Sequence, residues 1–204
     1  MLFRSQAYKA VGDRADQGPF KYQQSLSNKN TAVYIDPKSK KIHIAHRGSV
    51  ELKEDWLKSD ALIGLGAESA DSRMKDALKL YKQLHTKYPN FVIEGSGHSL
   101  GGGICTYVTS NLGTRSWFGA HQTFNGAQSP MATIMKLPKT LDPNKRKIFS
   151  QKLTHYRTHN DLVSMSPSAI GTTKHYKPIK NIGPKAEILR APIKIEKLKL
   201  WNWT

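Results

Sequence analysis

Runs of alternating and wholly apolar residues divide the chain before any motif is considered. Thr31-Ala32-Val33-Tyr34-Ile35 and Lys41-Ile42-His43-Ile44-Ala45 read as two strands. Asp36-Pro37-Lys38-Ser39-Lys40 between them is turn chemistry, so the three segments predict a hairpin. Over 71–86 the period changes. Met74, Leu78, Tyr81 and His85 recur at helical spacing with Ala77 and Leu84 beside them, and Pro89-Asn90 ends the helix. Phe91 to Glu94 then reads as a strand, Gly102 to Tyr107 as a helix and Gly119 to Asn125 as the next strand. A basic loop and a short helix over 138–150 precede a strand at Lys152 to Arg157. This alternation predicts an α/β fold: a mostly parallel central sheet with helices on both faces. Residues 1–30 are polar and are expected to wrap the domain. No repeat or linker divides the 204 residues, which read as one domain, 1–204.

One junction in this pattern carries chemistry. Gly97-His98-Ser99-Leu100-Gly101 lies where the strand at 91–94 gives way to the helix at 102–107 and matches G-x-S-x-G. A strand-to-helix turn this sharp strains the central residue, and only small neighbours fit; Gly95, Gly97, Gly101 and Gly102 supply the room. The Ser99 hydroxyl is thereby expected at a helix N-terminus, where free N–H groups and the helix dipole favour developing negative charge. A serine needs a base to take its proton, usually a histidine oriented by a carboxylate, and with this elbow the chain order is Ser, Asp or Glu, then His. After Ser99 the carboxylates are Asp142, Asp161, Glu187 and Glu196. Asp161 follows a predicted strand, where catalytic groups collect in parallel sheets, and is the candidate.

Three blocks together resemble the class 3, fungal-type lipase family of the α/β-hydrolase fold. The first is Ala45-His46-Arg47-Gly48-Ser49 with Asp55-Trp56-Leu57-Lys58-Ser59-Asp60, similar to that family's R-G-T/S turn and D-W-x-x-D segment. The second is Gly97 to Gly102; the third is Asn160-Asp161-Leu162-Val163 with Pro167. The resemblance covers about residues 31–175. It implies hydrolysis of carboxylic esters of lipids through an acyl-enzyme on Ser99, with Asp161 orienting the base. It further implies an oxyanion hole from the backbone N–H groups of Ser49 and Leu100, with Asp55, Trp56 and Asp60 bracing the sheet. No cofactor is implied.

The histidine departs from the family pattern. His175 is the only one after Asp161, and none follows from Ile179 to Thr204. Two readings stay open: His175 is the base through a shortened topology, or it is a strand residue in a protein that lacks its base, in which case a downstream segment or a partner chain could complete the site. His98, His155 and His159 are weaker candidates. The family's amphipathic lid corresponds here to Leu62-Ile63-Gly64-Leu65-Gly66-Ala67-Glu68, whose glycines predict an open loop and little interfacial activation.

Composition adds a rival. Thirty-two basic against 15 acidic residues give a net charge of +17, which favours polyanionic partners. The alternative reading is therefore a catalytically impaired hydrolase fold serving as a basic binding or structural module, on nucleic acid or an anionic membrane surface, including a virion component. No metal site is expected: His43 and His46 fall on opposite faces of a strand, and Cys105 is the only cysteine. The lack of a signal-like N-terminus or a long apolar run points to an intracellular or virion-associated protein. Oligomeric state is not legible.

Overall fold

The computed structural model describes residues 2–49, 61–126, 142–158 and 170–176. Its centre is a seven-stranded sheet in the order β1-β2-β3-β4-β5-β6-β7. The strands are β1 (Lys21–Tyr22), β2 (Thr31–Asp36), β3 (Lys41–His46), β4 (Val92–His98), β5 (Phe118–Phe124), β6 (Leu153–Thr158) and β7 (Thr172–Tyr176). β1 through β3 are antiparallel neighbours; from β3 to β7 every pairing is parallel.

The predicted hairpin is β2 and β3. Its turn is held by Asp36, whose carboxylate accepts from the Lys38 N–H at 3.0 Å and the Ser39 hydroxyl at 2.6 Å. Among the described residues four α-helices accompany the sheet: α1 (Leu2–Gln6), α2 (Ala61–Lys87), α3 (Leu100–Leu112) and α4 (Pro143–Lys152). Period-two alternation sorts the strand side chains between two faces. Val33, Ile35, Ile42, Ile44, Ile93 and Phe118 pack with Met74, Tyr81 and Leu84 of α2 and Ile104 and Val108 of α3. Ala32, Tyr34 and Ala45 point the other way, onto Ala7, Phe3, Phe20 and Tyr22 of the N-terminal segment. α4 begins at an Asp142 cap that accepts from the N–H groups of Asn144 and Lys145, and its Phe149 packs on Leu153 and Ile170.

One expectation is overturned. Residues 62–68 form no open loop; they are the first turns of α2, which starts at Ala61. Gly64 and Gly66 each weaken a helix by about 1 kcal/mol relative to alanine, but the stretch continues into the amphipathic segment at 71–86, which supplies the nucleus it only has to extend. The structural basis for expecting an uncovered site is thereby removed.

Three histidines are built into the interior as neutral groups. His46 and His121 flank the Tyr81 hydroxyl, at 3.4 and 2.8 Å, while Thr31 approaches His46 Nδ1 at 3.3 Å and the Gly119 carbonyl lies 3.1 Å from His121 Nδ1. His155 contacts the Thr123 hydroxyl at 2.7 Å and the Ile170 carbonyl at 2.8 Å. Burial lowers the pKa of His46 and His121 to about 3 and that of His155 to about 4.

Candidate active site

β4 delivers the chain into Ser99, and α3 leaves from it. Ser99 sits at φ 52°, ψ −124°, a conformation that L-residues with a Cβ rarely adopt, as the N-cap of α3. Its N–H donates to the Phe124 carbonyl at 3.2 Å, tying the elbow to the end of β5, and its carbonyl accepts from Gly102 and Gly103. The turn closes only because its neighbours lack side chains. A Cβ on Gly97 would collide with the Gly101 carbonyl, and one on Gly101 with the His46 carbonyl at the end of β3. As the first residue of α3, Leu100 has an N–H with no carbonyl one turn earlier to accept it.

The end of β3 forms the second wall. A Cβ on Gly48 would stand 3.1 Å from the Ser99 Cβ and 2.9 Å from the His98 carbonyl, so the Arg47-Gly48-Ser49 turn runs directly beside the nucleophile position. Tyr8, just past α1, braces both walls. Its hydroxyl accepts from the Gly48 N–H at 3.0 Å and lies 2.8 Å from His98 Nδ1. Its single proton can go to His98 when that ring is neutral, and burial keeps it so by lowering its pKa to about 4. Burial raises the Tyr8 pKa, opposed by the Gly48 N–H and by the charges of Arg4, Arg47 and Arg73. Sequence reading missed Tyr8 and Arg73, which reach this site from positions 40 and 26 residues away from their partners Gly48 and Arg47.

Of the predicted site residues, Ser99, Leu100 and Ser49 are brought to one end of the sheet. Asp161, and with it Asp55, Trp56, Asp60 and His159, lies outside the described residues. His175 stands at the far side of the parallel strands from Ser99. It is exposed on β7, paired in register with Arg157 of β6, and β7 stands three strands from β4. At about 4.8 Å per strand that separation is about 14 Å. The other described histidines near the elbow are engaged: His98 with Tyr8, and His155 with Thr123 and Ile170.

A family profile described as a domain of unknown function, DUF6792, matches residues 11–181. The chain belongs to the DUF6792 family. Comparison of the DUF6792 chain with curated proteins finds no match. Solved structures with a similar fold include three fungal lipases. The Rhizomucor miehei triacylglyceride lipase is 16% identical with a TM-score of 0.53, covering 86% of this chain and 76% of its own. The Lip2 lipase of Yarrowia lipolytica is 14% identical with a TM-score of 0.53, covering 84% and 76%. The lipase of Rhizopus microsporus var. chinensis is 15% identical with a TM-score of 0.51, covering 81% of this chain. The DUF6792 chain spans 66% of that last enzyme, just under two thirds of its length. This domain therefore has a lipase-like α/β-hydrolase fold.

Proposed function

We propose that Ser99 is the nucleophile of a hydrolase that cleaves carboxylic esters of lipids or acyl-glycerols. The observation that carries this reading is the strained backbone of Ser99 at a glycine-walled junction of strand and helix. In the reaction Ser99 Oγ attacks the ester carbonyl and the alcohol departs with the serine's proton. Water then releases the acyl group. The backbone N–H groups of Leu100 and Ser49 receive the oxyanion, each donor contributing about 3 kcal/mol to the transition state. Asp161 orients the base, and no cofactor enters.

The base divides this reading from a second. His175 is the only histidine between Asp161 and Thr204, and it stands on β7, three strands from β4. That observation favours a hydrolase fold without a base of its own, serving as a basic binding module. Reaction with a fluorophosphonate and hydrolysis of p-nitrophenyl butyrate decide between them, on the unaltered protein, Ser99→Ala and His175→Ala. Ester hydrolysis and labelling that both vanish in Ser99→Ala are the expected result. Loss of at least a hundredfold in His175→Ala makes His175 the base; unaltered turnover assigns that task elsewhere. An unaltered protein inert to both reagents establishes the second reading.

A further inference from the structure

Two arginines crowd the wall beside Ser99 without a counter-charge among the described residues. Arg73 of α2 donates through Nη2 to the Arg47 carbonyl, the residue before Gly48. Arg47 places its guanidinium over the Tyr8 ring, 5.8 Å from the centroid, and reaches the Lys29 carbonyl at 3.4 Å. Both Nε atoms are buried without a hydrogen-bond partner. The salt bridges among the described residues involve Lys21, Lys41 and Lys75, and neither arginine. The two charges repel one another, and burial with that repulsion lowers the Arg73 pKa to about 10, still fully charged at neutral pH. Both side chains are half-buried, so their charges are partly desolvated and an anion beside them is favoured. The same peptide borders α3: the Arg47 carbonyl carbon lies 3.1 Å from where a Gly101 Cβ would be. Two guanidiniums therefore stand around Tyr8 and the peptide that borders the start of α3, an arrangement suited to phosphate or carboxylate.

We infer that Arg47 and Arg73 form an anion subsite beside Ser99, and that the preferred substrates are esters carrying a phosphate close to the scissile bond. The preference rests on the ester-hydrolase reading; the anion subsite does not. Guanidinium forks bind phosphate oxygens in pairs and hold the headgroup while the acyl carbonyl faces the nucleophile. The competing counter-ion is a carboxylate from residues 50–60, which carry Glu51, Glu54, Asp55 and Asp60 and lie outside the described residues.

Two measurements test this. The first compares kcat/KM for monobutyryl glycerol and for monobutyryl glycerol phosphate, which share the acyl chain. The unaltered protein is expected to favour the phosphate ester at least tenfold, and Arg73→Gln to abolish that ratio. No preference, or equal losses on both esters in the variant, overturns the assignment. The second is calorimetric titration with inorganic phosphate at constant ionic strength, which requires no turnover. Saturable binding that disappears in Arg73→Gln, or in Arg47→Gln should the first variant not fold, is the expected result. Absence of saturable binding to the unaltered protein overturns the subsite, and with it hands the counter-ion role to the chain's own carboxylates. A protein that binds phosphate yet hydrolyses neither ester retains the subsite and loses the hydrolase reading.

Discussion

Ser99 is held where its own backbone resists. A non-glycine residue at φ 52°, ψ −124° costs on the order of 1–3 kcal/mol, and the surrounding contacts must over-determine it. The strain separates two substitutions that both remove the hydroxyl. Ser99→Gly relieves it and Ser99→Ala does not, so the glycine variant is expected to be the more stable by about 1 kcal/mol or more. In a domain of this size that is a difference of about 2–4 °C in Tm. Equal Tm values would mean the conformation is relaxed. The residue was legible in the sequence because strained turns of this type need glycines at fixed offsets, and Gly97 and Gly101 are where they must be. Tyr8 was not legible. Nothing local distinguishes it, and its role exists only once the N-terminal segment crosses the sheet to meet Gly48 and His98.

Among elements, the decisive contact is α3 against the end of β3. Gly101 lets the helix approach until only hydrogen separates it from the His46 carbonyl. Neither partner can yield, since His46 is in register with Gly97 and its ring is buried beside Tyr81. Gly101→Ala should therefore cost about 1–3 kcal/mol in stability, as overpacked cores do, and slow fluorophosphonate labelling at least tenfold by tilting α3 away. Denaturant unfolding and labelling rates check both parts; a neutral substitution would show that the helix has room to shift. Strands and helices with clear periodicity were readable here: β2, β3 and the 71–87 part of α2 stand within a residue or two of their expected bounds. The first ten residues of α2 were not, because two glycines mask a helix that is extended from its C-terminal part rather than nucleated on its own. The place of β7, three strands from β4, was equally hidden, since strand order is a property of pairing and not of any one segment.

Across the molecule, the buried histidines set a limit on acid. His46, His121 and His155 are 0%, 1% and 0% exposed. An unfolded histidine takes up its proton near pH 6.5, whereas these folded ones do so only near pH 3–4. Between those values the unfolded state binds more protons, so stability is complete above pH 6.5 and falls as the pH drops toward the folded pKa values. Three such groups lose about 4 kcal/mol per pH unit together, against a total of about 5–15 kcal/mol for a typical domain. Cooperative unfolding is expected between about pH 4 and 5.5, followed by circular dichroism, and His121→Gln should make the approach to it shallower. A fold unchanged at pH 3.5 would contradict the neutral, desolvated state of these rings. The sheet carries a further consequence. Its strands lie side by side in the order they are encoded, so each strand leaving the ribosome finds its partner already made and none must be inserted between two earlier ones. The growing chain can add to one open edge from β2 to β7, and the nucleophile's elbow at the end of β4 is complete only when β5 supplies the Phe124 carbonyl.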